Sequence, residues 1–247
     1  MRLQYYWIIS LAILVAVWQL VSMHYDSFLM LPSPLLTFKA LVRAVQDPEV
    51  MSNLLITLRR VLSGFGIAVL LGVPLGFLMG YSRLAMQLLD PITGSLRQIP
   101  IMAWVPLTIV WFGLGDGPTI FLIAFSGVFP VILNTIAGVK GISKDYYNAA
   151  RSMGAGPASI FAHVIVPGSL PGILTGVRIA VGTGWMSVIC AEFIATSAGI
   201  GYSMVKAQTY MQTDALIALM ILAALVGYAL DQIIMFGSRS IIRWTAV

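Results

Sequence analysis

NAARSMGAGPASIFAHVIVP, residues Asn148 to Pro167, is a polar stretch set between two long apolar runs. Its order is Asn148-Ala149-Ala150, three residues, Gly154, nine residues, Val164, one residue, then Val166-Pro167. Asp145, just ahead of it, suits a helix N-cap, and the small side chains of Ala149 and Ala150 let a partner surface approach closely. Gly154 can take the positive φ that ends a short helix. Pro157 suits the first turn of a second helix, and Pro167 is expected to break the chain before the next apolar run. The reading is a short, rigid helix-turn-helix knuckle, able to pass a push in either direction.

The chain around the knuckle is strongly apolar. Its mean hydropathy is +0.94. Hydrophobic residues make up 59% and charged residues 9%, against about 25% charged in a soluble domain. At ~20 residues per crossing, five or six helices use most of the 247 residues. Residues 1–247 are therefore expected to form one all-α transmembrane domain of about six spans. The net charge of +5 belongs to loops that face anionic lipid and is no sign of a nucleic-acid partner. Cys190 is the single cysteine, so it forms no internal disulfide and reads as a small buried hydrophobe. No small-x-small cleavage site follows the apolar run from Tyr5 to Val21, which reads as an uncleaved first span.

Apolar runs place the six spans near 5–23, 54–80, 98–113, 117–139, 169–195 and 214–236. Between the first two, residues 32–50 alternate apolar and charged residues, with Leu35, Leu36, Ala40, Leu41 and Ala44 at helical spacing. This segment reads as an elbow helix lying along the membrane surface, and residues 140–168 form the loop that holds the knuckle. With the N-terminus inside, Arg2, Arg83, Arg97, Lys140, Lys144, Arg151, Arg178, Arg239 and Arg243 fall on the cytoplasmic side. Five basic residues remain outside: Lys39, Arg43, Arg59, Arg60 and Lys206. The expected orientation has both termini and the knuckle in the cytoplasm. Arg59 and Arg60 fit it poorly. Small residues recur every fourth position at Gly64, Ala68, Gly72, Gly76 and Gly80, and again at Gly172, Gly176, Ala180 and Gly184. Such stripes let helices pack closely where lipid gives no hydrophobic drive for association.

Several chemistries are excluded. None of the four lysines follows a glycine, so there is no phosphate-cradling Gly-Lys-Ser/Thr loop and no ATP site of that kind. Two histidines, His24 and His163, and one cysteine assemble no zinc or haem centre. Ionisable residues inside spans are functional candidates by default. Glu192 either lines a gate or pairs with a neighbouring helix. Arg178 snorkels, pairs with a carboxylate, or attracts an anion. Asp231 reads as structural, and Asn134 faces the bundle interior. Pro100 and Pro106 kink one span, and either Trp104 between them lines a water-filled pathway or the kink is purely structural.

The knuckle's spacing resembles the EAA loop of ABC importer permeases: Glu-Ala-Ala, three residues, Gly, nine, Ile, one, Leu-Pro. Asn148 stands here where that family has Glu, which removes any ion pair of that carboxylate. Nearly the whole chain resembles one subfamily, the importers of nitrate, sulfonates, taurine and bicarbonate. The residues that carry this are LPSP at Leu31–Pro34, LRRVLSGFGIAVLLGVPLGFLMGYS at Leu58–Ser82 and LLDPITGSLRQIPIMAWVPLTIVWFGLG at Leu88–Gly115, followed by FPVILNTIAGV at Phe129–Val139 and GVRIAVGTGWMSVICAEFIATSAGIGY at Gly176–Tyr202. The resemblance implies a multi-pass protein of the cytoplasmic (inner) membrane. It would pair with a second copy of itself, two ATP-binding cassette subunits and an extracytoplasmic substrate-binding protein. This chain would bind no cofactor and catalyse no reaction, with ATP and Mg on the partner ATPase.

The same resemblance assigns coupling to Asn148, Ala149, Ala150, Arg151, Gly154, Ala155, Pro157, Val164, Val166 and Pro167. The pathway would fall to Pro100, Trp104, Asn134, Arg178, Trp185 and Glu192. A sulfonate or taurine is the first expectation for cargo, with nitrate, bicarbonate or a thiamine or pyrimidine precursor as alternatives. An ion-coupled carrier or a non-transporting scaffold would be the readings of another class.

Overall fold

The structure, a computed structural model, describes residues 2–25, 27 and 29–241. Among these every regular element is a helix. The side chains of Arg2 and Arg239, and all of Arg243, used above for orientation, lie outside the described residues.

The helices are α1 (Arg2–Tyr25), α2 (Pro34–Gln46), α3 (Pro48–Tyr81), α4 (Arg83–Gln98), α5 (Ile101–Phe112), α6 (Asp116–Lys140), α7 (Lys144–Ser152), α8 (Pro157–Ile160), α9 (Val166–Glu192), α10 (Ile200–Thr209) and α11 (Thr213–Ile241). A π-helical turn, Phe161–Ile165, joins α8 to α9. Among the described residues five helical stretches are long and apolar enough to cross a membrane: Ile8–Tyr25, Pro48–Tyr81, Asp116–Lys140, Pro157–Glu192 and Thr213–Ser238. The expected third span, 98–113, is instead α5, with 12 residues. At 1.5 Å per residue it reaches about 18 Å, short of the ~30 Å hydrocarbon core. The reason lies at Pro100, which has no N–H to carry α4 onward and stands as the N-cap of α5 rather than as a kink within a span.

The chain falls into two compact units. One runs up to Thr57 and takes in Ser197–Val226. Here Ser33 caps α2, its hydroxyl accepting from the Leu36 N–H, and Pro34 opens the helix. The elbow buries Thr37 and Ala40 and exposes Leu35, Phe38 and Val45, as an interfacial helix does. Asn53 and Thr57 of α3 cap α10. The Gly199 N–H donates to Asn53 Oδ1 and the Ile200 N–H to Thr57 Oγ1, each at 2.9 Å. Lys206 binds Glu49 at 2.7 Å, and that hydrogen bond raises the lysine pKa above its ordinary value.

The other unit comprises Leu58–Thr196 and the chain from Gly227 on. Its centre is α6, which packs against α9 along its length, and both glycine stripes are used there. A Cβ placed at Gly72 would lie 2.8 Å from Val131 Cβ, and one at Gly76 would lie 2.5 Å from Thr135 Cβ. Gly172 and Gly176 of α9 meet the α6 backbone just as closely. The stripes therefore pack helices within this subunit.

Candidate functional site

The knuckle forms as a pair of short helices rooted in the α6–α9 block. Ser143, not Asp145, is the N-cap of α7. Its hydroxyl accepts from the Asp145 N–H at 3.2 Å and lies 3.1 Å from Asp145 Oδ2. Asp145 instead sits in the first turn, where its negative charge complements the positive end of the helix dipole. Gly154 has φ +83°. The Gly154 N–H donates to the Arg151 carbonyl and the Ala155 N–H to the Ala150 carbonyl, the paired bonds of a Schellman ending that needs a left-handed residue at this place.

Pro157 opens α8 as expected. Pro167, however, does not break the chain, because Pro157–Glu192 is continuous. The π turn before it absorbs the misfit. The Val166 N–H reaches back to the Phe161 carbonyl, widening the helix where the proline ring would meet the preceding turn.

Ala150 turns inward and packs with Val139, Ile160 and Ile165. The two alanines thus divide, since Asn148, Ala149 and Arg151 are exposed. Val164 lies against the same cluster, as does Ala155. Phe161 stacks edge-on against Phe77 and Tyr81 of α3. Tyr147 is half-buried here, and burial, then the nearby Tyr81, pushes its phenol pKa up. On the outer surface Tyr146 and Met153 stand 67% and 82% exposed. A rigid apolar surface on a polar loop is what a docking partner covers.

A cavity of about 550 Å³ opens where α4 ends and α5 begins, walled by α6 and α9. Pro100 and Asn134 line it, together with Arg97, Ser126, Thr183 and Ser187. The other expected pathway residues lie elsewhere. Trp104 sits behind the wall, 4.6 Å from the Phe125 ring, its indole N–H buried and without a hydrogen-bond partner among the described residues. Trp185 is buried against Gly227. Arg178 binds Asp231 through two 2.7 Å hydrogen bonds, beside a separate pocket.

Glu192 is fully buried and its partner is Arg60. Arg60 Nη1 lies 2.8 Å from Glu192 Oε1, and Arg60 Nη2 lies 2.7 Å from Asp116 Oδ1. This triad joins α3, α6 and α9 at the end of α9 away from the knuckle. Arg60 was one of the two basic residues, with Arg59, that fitted the orientation poorly. An arginine within an apolar run, with acids at the ends of two other runs, was the signal for it.

Residues 72–243 match the family of binding-protein-dependent transport system inner membrane components. An Escherichia coli permease assigned to aliphatic sulfonate transport is 39% identical over 96% of this chain and 90% of its own. The E. coli taurine transport system permease is 34% identical over 95% and 88%. The bicarbonate transport system permease of Synechococcus elongatus is 35% identical over 85% and 76%. Among solved structures, an inward-facing MetNI methionine ABC transporter superposes with a TM-score of 0.66 at 20% identity, covering 78% of this chain and 94% of that one. That likeness concerns the fold. A polytopic helical chain with an exposed knuckle, matched along most of its length, belongs to the binding-protein-dependent transport system inner membrane components, the permeases of ABC transporters.

Proposed function

We propose that this chain is the membrane subunit of an ATP-driven importer that carries a small anion into the cytoplasm, a sulfonate or taurine first. Two copies would pair, with two ATP-binding cassette subunits on the knuckle side and a substrate-binding protein opposite. Both termini and the knuckle face the cytoplasm in this reading, which requires α4 and α5 together to complete a sixth crossing that α5 is too short to make alone. ATP binding would close the ATPase pair, draw the knuckles together and swing the α6–α9 blocks. The α4–α5 cavity would then exchange one side of the membrane for the other, and hydrolysis on the ATPase would reset it. Pro100 and Asn134 fit that pathway directly, while Arg178, Trp104, Trp185 and Glu192 would support its walls. A bicarbonate-carrying relative favours a second reading of the cargo, an inorganic anion moved by the same machinery.

The observation that carries the proposal is the knuckle's exposed apolar surface on a base too well packed to move alone. Met153→Glu places a charge there without touching the core. The expected result is at least ~10-fold less ATPase recovered with the tagged chain from its own host's membranes, at an unchanged melting temperature. Full ATPase recovery by the variant, or none by the parent chain, would sink the docking reading.

A further inference from the structure

The cavity between the α4–α5 break, α6 and α9 has a polarity pattern that does not suit every small anion. Its wall is mostly apolar, with Ile99, Phe125, Phe129, Leu133 and Ile179 facing the space. The hydroxyls on it have spent their protons. Ser126 donates to the Ile123 carbonyl, Thr183 to Ala180 and Ser187 to Thr183. Asn134 likewise gives an amide hydrogen to the Pro130 carbonyl. A bound anion needs donors, and these oxygens offer mainly lone pairs.

Arg97 is the cation on this wall. Among the described residues its side chain has no ion pair and no hydrogen bond. The other arginines that line cavities of either unit, Arg43 and Arg178, are matched to Asp214 and Asp231. Arg97 thus stands on the lining of a pocket of about 550 Å³ as an unmatched charge with five donors, and the neutral donors beside it are the Gln98 amide and the second amide hydrogen of Asn134.

We propose that the permease itself carries an organic-anion site, in which Arg97 holds an anionic head group and the Phe125–Phe129–Leu133–Ile179 wall holds an aliphatic tail. This rests on the importer reading above and deepens it. Selection would then reside partly in this chain, and it would favour alkanesulfonates over nitrate and bicarbonate. The inorganic ions gain nothing from an apolar wall and lose hydration on entering it. An alkyl tail gains about 0.8 kcal/mol per buried CH2, close to a fourfold step in affinity.

Equilibrium dialysis on the purified complex, without the binding protein, tests this with butanesulfonate, hexanesulfonate, nitrate and bicarbonate as probes. Hexanesulfonate should bind about fifteenfold more tightly than butanesulfonate, and both inorganic ions more weakly than either. Arg97→Gln should weaken both sulfonates at least tenfold while preserving the chain-length step, and Arg97→Lys should restore most of the loss. Leu133→Asn should flatten the chain-length step with Arg97 intact. Nitrate or bicarbonate binding as tightly as hexanesulfonate, or an Arg97→Gln variant that binds like the parent, would overturn the site. Loss of the ATPase from the parent complex would instead overturn the importer reading, since the dialysis result does not depend on it.

Discussion

Replacing Arg60 with methionine is expected to lower the stability of the folded chain by about 3–5 kcal/mol, the usual cost of stranding one member of a buried ion pair. Arg60 is 3% exposed and Glu192 has no exposure at all. With the guanidinium gone, the Glu192 carboxylate is left in a membrane helix with its 2.8 Å counter-charge missing. Water does not reach it there, and the neighbouring Asp116 carboxylate adds repulsion. The reverse change is milder. Glu192→Gln keeps a hydrogen-bond acceptor on Arg60, which retains Asp116 at 2.7 Å. Thermal unfolding in lipid nanodiscs should rank the variants with Arg60→Met lowest and Glu192→Gln between it and the parent. The Arg60→Met/Glu192→Met double variant should recover much of the loss, because two apolar side chains of similar volume leave no buried orphan charge, and Asp116, whose side chain is 52% exposed, can turn to solvent. If the double variant melts no higher than Arg60→Met, the loss comes from lost volume and the electrostatic account is wrong.

What the sequence made legible depended on whether the signal was local. The knuckle follows from Gly154, Pro157 and the spacing around them, because turn geometry is set by residues within a few positions. The elbow was legible for the same reason, from Ser33-Pro34 and an amphipathic run. The glycine stripes announced close packing, and α6 took them both. Features that needed a partner from far along the chain did not show. Arg60 stood out only as a poor fit to the orientation, since Asp116 and Glu192 are 56 and 132 positions away.

Two proline readings failed for a different reason. Proline removes one donor, but the chain chooses how to absorb that. At Pro100 it ended a helix and made α5 too short to cross by itself. At Pro167 it widened a turn and let α9 run on. Arg97 was read only as a charge for orientation; its empty hydrogen-bonding ledger needed the cavity to be seen.

The second large effect is expected at Gly172. A Cβ there would stand 2.7 Å from the Asn134 carbonyl oxygen and 2.8 Å from Gly138 Cα. Both are backbone atoms of α6, so no side chain can rotate away and the two helices must part. Overpacking commonly costs 1–3 kcal/mol where side chains can shift, and a clash with fixed backbone places Gly172→Ala at about 3 kcal/mol or above. Gly94 provides the contrast. It lies inside α4 with nothing within 4 Å of its Cβ position. Alanine there should be neutral or stabilise by up to about 1 kcal/mol through helix propensity. The two changes are chemically identical, so a melting series on Gly172→Ala and Gly94→Ala isolates the packing. Equal shifts would refute the tight α6–α9 contact. A large loss at Gly172 alone would establish that α6 and α9 are packed backbone to backbone, the tight contact that a push delivered at the knuckle between them requires if it is to reach the cavity walls.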